Sequence, residues 1–137
     1  MSLFSFSGKP PTDIGVTNGK LKSCPDTPNC VCSYEPASDT EHAIATFNYT
    51  GSAAEAIARL KQVIEGMERS TINQVTDDYL YAEFSSKLMG FVDDVEFYAP
   101  PGESVIHTRS AARLGKSDLG ANRKRTEEIR TLFVAAS

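Results

Sequence analysis

The sequence lacks any long apolar run, and this absence excludes one broad class of protein. No stretch approaches the roughly 20 apolar residues that a membrane-spanning helix needs. The first residues also lack the basic segment followed by an apolar segment that is typical of a secretory signal. Hydrophobic residues make up 40% of the 137 residues and charged residues 23%, an ordinary balance for a globular protein. We therefore expect one soluble domain, with the cytoplasm as its default compartment.

The sequence also lacks the short motifs of several common enzyme classes. It contains no G-x-S-x-G nucleophile elbow, no Walker loop, no H-E-x-x-H pair and no G-x-G-x-x-G turn. Hydrolase, nucleotidase, zinc protease and dinucleotide-binding functions therefore lack the groups that they need. No cofactor is expected. The net charge of -4 also argues against general nucleic-acid binding.

Cysteine is scarce, and all three cysteines lie in one short segment, "CPDTPNCVC" at residues 24–32. A zinc site usually needs four ligands from paired short spacings, and only His42 and His107 could complete three sulfurs. The sequence therefore predicts no metal site. The alternatives that remain are a turn shaped by the two prolines and the asparagine, a disulfide, and a redox-active pair, and we favour them in that order.

Glycine and proline punctuate the first 41 residues, which predicts an irregular N-terminal arm over 1–41 followed by a single domain over 42–137. Weak alternation predicts a strand over 43–49. Period-two patterns bounded by turn residues predict four more strands, at about 70–76, 79–86, 92–98 and 104–114.

Two helices are predicted around these strands. Ser52 and Glu55 form a capping box immediately before apolar residues at helical spacing, and this helix ends near Gly66. A second helix begins near Ser117 or Asp118. The order β-α-β-β-β-β-α predicts an α+β fold, in which two helices pack on one face of a mainly antiparallel sheet of about five strands.

Alternation within the predicted strands places polar side chains on one face of the sheet. A hairpin that closes around "APPGES" with Tyr98 opposite Val105 sets Glu96 opposite His107. The same register sets Asp94 opposite Arg109. This face is either a solvated surface with weak salt bridges or the floor of a polar pocket. Its members are Tyr79, Tyr81, Glu83, Asp94, Glu96, Tyr98, His107, Arg109 and Arg113, and the opposite apolar set is Leu80, Ala82, Phe84, Val95, Phe97, Ile106 and Leu114.

Basic residues concentrate in residues 109–130, which hold seven of the fourteen Lys and Arg residues against three acids. Within this range, glycines allow tight turns before a helix that Ser117 or Asp118 caps. The basic residues at 123–125 then oppose the helix dipole. The compensating negative charge is either an internal carboxylate or a bound phosphate or carboxylate.

The sequence resembles an uncharacterised conserved family, domain of unknown function 1499, over residues 14–131. Three segments carry the resemblance in the same order: "KLKSCPDTPNCVCS", "YLYAEFSSKLMGFVDDVEFY" and "VIHTRSAARLGKSDLGANRKRTEEIR". The positions that match the family motifs are Cys24, Pro25, Pro28, Asn29, Cys30, Asp94, Glu96, Arg109, Ser110, Arg113, Gly115, Ser117, Asp118, Gly120, Asn122, Arg123, Lys124 and Arg125.

The resemblance has three further implications. Cys32 and Ala112 stand where serine is usual, so neither side chain is essential to the family. Cys24 and Cys30 are left as the candidate disulfide pair. The N-terminal part is most similar to the cyanobacterial and plastid branch of the family. This similarity implies a link to photosynthetic membranes. It also implies a location in a plastid or thylakoid lumen if a targeting segment was removed.

Three functions remain open. The first is a non-enzymatic accessory domain that binds a small anionic or amphipathic ligand, or a protein partner. The second is a small enzyme that uses Glu96, His107 and Asp94 as acid and base groups. The third is a purely structural assembly factor. The predicted ligand-binding residues are Asp94, Glu96, His107, Arg109, Arg113, Ser117, Asp118, Asn122 and Arg123.

Overall fold

Two helices and a six-stranded, mainly antiparallel sheet form the fold in the computed structural model, which describes residues 8–86 and 90–137. The predicted α+β class is confirmed. In chain order the elements are β1 (Cys30–Cys32), β2 (Phe47–Asn48), α1 (Ala53–Glu65), β3 (Ser70–Val75), β4 (Tyr79–Ser85), β5 (Val92–Tyr98), β6 (Val105–Ala112) and α2 (Ala121–Ala135).

Helix α1 begins and ends where the sequence predicts, because its limits depend on local chemistry. Ser52 Oγ accepts a hydrogen bond from the Glu55 amide, and the Glu55 carboxylate accepts one from the Ser52 amide. These bonds satisfy two donors that the first turn leaves free. The helix ends before Gly66 and buries one face, formed by Ala56, Ile57, Leu60 and Ile64.

Helix α2 begins at Ala121, three or four residues later than the predicted start near Ser117 or Asp118. Gly120 precedes it in the left-handed conformation, with φ of 80°, which interrupts the helical path. Asp118 still satisfies the first turn from outside the helix, because its carboxylate accepts from the amides of Gly120 at 2.8 Å and Asn122 at 3.1 Å.

The arm contributes a strand that the sequence does not predict. The sheet order is β1-β6-β5-β4-β3, and β2 also pairs with β6. Strands β1 and β2 both pair antiparallel with β6, β1 near its C-terminal end and β2 near its N-terminal end. The strand predicted over 43–49 corresponds to β2, which is only two residues long. In the described part of the chain, two strands precede α1, whereas the sequence predicts one.

The predicted hairpin register between β5 and β6 is wrong by two residues. The ladder between β5 and β6 starts at Tyr98 and His107, and the two residues before His107 pair with β2. The connection between the two strands is therefore longer than the turn predicted around "APPGES". A shift by an even number leaves each side chain on its predicted face. The observed pairs are Tyr98 with His107, Glu96 with Arg109, and Asp94 with Ala111.

Both helices pack against the apolar face of the sheet. The Phe47 ring contacts the rings of Phe97 from β5 and Phe133 from α2, with centroids 5.6 and 5.7 Å away. Leu114 does not belong to this face, because it follows the end of β6 and is exposed. Within residues 8–86 and 90–137, neither helix has the length and hydrophobicity of a membrane span.

Candidate functional site

The polar face of the sheet lies beneath the N-terminal arm. Glu96 at its centre has no exposed surface (0%), and Asp94 and Arg109 beside it are also buried. The Gly15 amide of the arm donates to Glu96 Oε2 at 2.7 Å, and the Tyr79 hydroxyl donates to the same oxygen at 2.6 Å. The alternative of a solvated outer face is therefore wrong for these residues.

Glu96 and Arg109 form a buried and incompletely bonded pair. Arg109 Nη1 lies 3.9 Å from Glu96 Oε1. In the described part of the chain, Glu96 Oε1 and Arg109 Nε have no hydrogen-bond partner. Burial raises the pKa of Glu96, although Tyr79, Gly15 and Arg109 act against the rise. The cost of burying this carboxylate is thus only partly offset.

Arg113 is the most fully bonded cation of the polar face. Its Nε and Nη2 donate to the two oxygens of Asp94 at 2.9 and 2.8 Å. The same Nη2 also contacts the Glu83 carboxylate and the Tyr81 hydroxyl. The hydrogen bonds to Asp94 are the largest cause of the raised pKa of Arg113. Arg113 therefore neutralises internal carboxylates, as the sequence analysis allows.

His107 lies apart from the carboxylates with which the enzyme hypothesis groups it. Its ring stacks on Tyr34 with centroids 3.7 Å apart, and its Nδ1 lies 2.8 Å from Ser33 Oγ. Burial lowers the pKa of His107. Among the described residues, neither Glu96 nor Asp94 is its hydrogen-bond partner, so the structure does not assemble these three groups into an acid–base site.

Two buried asparagines join the arm, β6 and α2. The Ser110 hydroxyl donates to Asn122 Oδ1, and Asn122 Nδ2 donates to Asp118 Oδ2 at 2.8 Å and to the Asn29 carbonyl at 3.4 Å. Asn29 Nδ2 in turn donates to the Gly115 carbonyl at 2.8 Å. These motif residues therefore fix the path of residues 113–120, which we call the entry loop.

The N-terminus of α2 already holds an internal carboxylate. Burial acts to raise the pKa of Asp118, but hydrogen bonds from Asn122 and from backbone amides outweigh it and lower that pKa. Arg123 Nη2 donates to the carbonyls of Thr40 and Glu41, each at 3.3 Å. Ser117 is exposed in the entry loop. A phosphate at these amides would have to displace Asp118.

A cavity of about 340 Å³ lies between the entry loop and the adjoining ends of β4 and β5. No sequence motif indicates this cavity. One signal is present, since alternation places Asp93 on the same apolar face of β5 as Val95 and Phe97. The apolar lining is Phe91, Val92, Ala112, Leu114, Leu119 and Ala121, and the rest is Ser86, Asp93, Gly115, Ser117, Asp118 and Arg125.

A partly buried ion pair, with side chains 18% and 12% exposed, forms part of this cavity wall. Arg125 Nη2 lies 2.8 Å from Asp93 Oδ2, and Arg125 Nη1 donates to Asn122 Oδ1 at 3.1 Å. The Arg125 guanidinium also lies over the Phe84 ring. Burial raises the pKa of Asp93, while Arg125 acts to lower it. The cavity thus combines apolar walls with one charged pair sheltered from water.

The cysteine segment forms a turn that is closed by a disulfide. Cys24 and Cys30 are bonded, with Cα atoms 5.7 Å apart, an ordinary separation for such a bond. Cys32 is a buried free thiol whose pKa is raised by burial, which disfavours the nucleophilic thiolate. Within the described ranges, no cluster of three or more His, Cys, Asp or Glu residues is arranged to hold a metal ion.

Comparison with known proteins places the chain in a family. No curated protein matches the sequence. A family described as a protein of unknown function (DUF1499) matches residues 20–133. The matched range includes the disulfide, the buried carboxylates Asp94 and Glu96, and every residue of the cavity lining. The chain therefore belongs to the DUF1499 family, whose function is unknown.

Proposed function

We propose that this protein is a non-enzymatic binding domain, and that it holds a small amphipathic ligand in the cavity beside the entry loop. One observation carries the proposal: mostly apolar walls meet a partly buried ion pair between Asp93 and Arg125 in one concavity. Ligand sites typically combine apolar lining with a few fixed polar groups, in volumes of about 300–1,000 Å³. The observed cavity lies at the lower end of that range.

The charges in the cavity favour a ligand head that is uncharged. Asp93 and Asp118 contribute two carboxylates, and Arg125 contributes one guanidinium. Arg125 is already paired with Asp93, so an anionic head would meet the carboxylates without a free cation. A hydroxyl or amide head can exchange hydrogen bonds with this pair and brings no further charge into the cavity. We therefore narrow the ligand to a neutral amphiphile.

The exposure of the lining residues gives the ligand a direction. Asp93 is buried, whereas Leu119 is 98% exposed and Leu114 is also exposed. The Asp93 side chain thus lies deeper in the cavity than the side chains of the two leucines. A ligand with its head at Asp93 and Arg125 directs its apolar end towards the two leucines.

Binding of matched amphiphiles tests this function. Decanol, decanoate and decyltrimethylammonium share one chain length and differ in head charge, and the binding of each can be titrated by calorimetry. We expect decanol to bind the wild type most tightly. Decanoate binding more tightly than decanol would refute the assignment of a neutral head. Failure of all three to bind would refute the proposed function.

A cavity-filling variant locates the binding. Ala112 ends β6 and lines the cavity, so Ala112→Phe places a ring in the space proposed for the ligand. Val75→Phe is the matched control, because Val75 is exposed on the edge strand β3. We expect Ala112→Phe to weaken decanol binding by tenfold or more, about 1.4 kcal/mol. Val75→Phe should bind as the wild type does, with both variants checked for native circular dichroism.

A further inference from the structure

The rim of the cavity carries an apolar side chain that the fold does not use. Leu119 is 98% exposed and has φ of 53°, in the left-handed region that a leucine rarely adopts. The entry loop holds it there, because Asp118 and Ser117 accept from the amides of Gly120 and Leu119. Leu114 is exposed on the same cavity lining. The loop therefore projects leucine side chains outwards from the cavity opening.

Two lysines are next to residues of this cavity opening along the chain. Lys116 lies between two residues that line the cavity, Gly115 and Ser117. Lys9 follows Gly8, whose backbone packs against Leu114. Both lysines are exposed, and neither forms an ion pair within residues 8–86 and 90–137.

The acidic side chains of the cavity cancel only part of this charge at the rim. Asp93 is paired with Arg125. The donors to the Asp118 carboxylate are the neutral amides of Gly120 and Asn122, so Asp118 keeps its negative charge. Two lysines against this one carboxylate leave the rim an apolar surface with a positive balance, although the whole chain has a net charge of -4.

We infer that this rim docks on a lipid bilayer that contains anionic headgroups. Exposed apolar side chains beside lysines are typical of protein surfaces that lie in the membrane interface. The inference deepens the proposed function and rests on it for the ligand: an amphiphile with its head at Asp93 and Arg125 leaves its apolar end at Leu114 and Leu119. A bilayer against the rim removes that end and the leucines from water together. The ligand class is then a membrane amphiphile.

Vesicle co-sedimentation tests the docking surface. The wild type is mixed with phosphatidylcholine vesicles, or with vesicles in which phosphatidylglycerol replaces part of that lipid. We expect stronger binding to the anionic vesicles, and weaker binding as salt is added. Leu119→Asp should reduce binding at least tenfold. Val134→Asp is the matched control, because Val134 is 63% exposed on α2 outside the cavity lining, and it should bind as the wild type does.

A second pair of variants tests the charges. Lys116→Gln should weaken binding to anionic vesicles by about fivefold, the effect expected from one basic residue near the surface. Lys61→Gln removes an exposed lysine from α1 and should have little effect. Equal weakening in both variants would overturn the assignment of the rim, since it would show attraction to general protein charge.

The decanol titration separates this inference from the proposed function. Wild-type protein that binds decanol but no anionic vesicle overturns docking and leaves the cavity function intact. If the protein binds vesicles through Leu119 but binds no amphiphile, bilayer docking is supported and the proposed ligand-binding function is refuted. If the protein binds no vesicles but self-associates, and Leu119→Asp abolishes that self-association, the rim is an interface with a second copy of the chain. That outcome also overturns the inference of bilayer docking.

Discussion

Replacement of Arg113 by methionine should strongly destabilise the protein. The Arg113 side chain is 6% exposed and makes a two-pronged contact with Asp94, together with contacts to Glu83 and Tyr81. Methionine fills part of the volume and supplies no charge. Among the described residues, the buried Asp94 carboxylate then keeps only the hydrogen bond from Tyr81.

The magnitude follows from burial. Removal of one partner of a buried ion pair costs about 3–5 kcal/mol, because the other charge is left uncompensated. The exposed pair of Arg69 and Glu68 provides the control, since its side chains are 43% and 84% exposed and such pairs contribute about 0–1 kcal/mol. Arg69→Met should therefore cost far less than Arg113→Met.

Urea unfolding followed by circular dichroism gives the free energy of each variant. A double-mutant cycle adds Asp94→Asn and the double variant that combines Arg113→Met with Asp94→Asn. In the double variant the uncompensated charge at residue 94 is absent. We expect the double variant to be more stable than the sum of the single losses predicts, by roughly 1–3 kcal/mol. A loss from Arg113→Met no larger than that from Arg69→Met would refute the reasoning that burial makes this pair important.

Two further predictions concern the arm and the buried carboxylate. Reduction of the disulfide between Cys24 and Cys30, which are six residues apart, should lower the free energy of unfolding by about 2 kcal/mol; a urea midpoint that is unchanged by reductant would contradict this. Burial raises the pKa of Glu96 in the folded state above its ordinary value of 4.5. The stability that protonated Glu96 contributes is therefore present below pH 4.5 and is lost as pH rises through the raised pKa. Glu96→Gln should therefore reduce the fall in unfolding free energy over this range, and identical slopes in the two proteins would disprove the assignment.

The parts of the fold that the sequence predicts correctly are those decided by neighbours along the chain. The capping box of Ser52 and Glu55 lies within four residues, and α1 begins where it indicates. Alternation in β4 and β5 likewise separates Leu80 and Phe97 from Tyr79 and Glu96 without knowledge of any partner strand.

The errors arise where an element pairs with a segment that is distant in the sequence. The start of β6, Val105 and Ile106, pairs with the two-residue strand β2 and lies outside the ladder with β5. No local pattern indicates that pairing. The arm presents the same difficulty, since Cys30–Cys32 forms a strand only by pairing with β6.

The candidate site was predicted in part for the same reason. Alternation grouped Asp94, Glu96 and Arg113 on one face, but it could not show that the arm buries that face. The cavity depends on how the entry loop folds back towards β5, and this path is set by the hydrogen bonds of Asn29 and Asn122 across more than 80 residues of chain. Asp93 was the one local signal.

The pairing of β1 with β6 also orders events during synthesis of the chain. Cys30 pairs with Ala111, so the arm emerges from the ribosome long before its partner strand. At about 5–20 residues per second, the interval is roughly 4–16 s. During that time the turn between Cys24 and Cys30 can close, because its ends are near in sequence, whereas the buried residues of β1, Cys30–Cys32, have no partner strand. A chaperone that binds nascent chains should therefore protect the arm until the last third of the protein has been made.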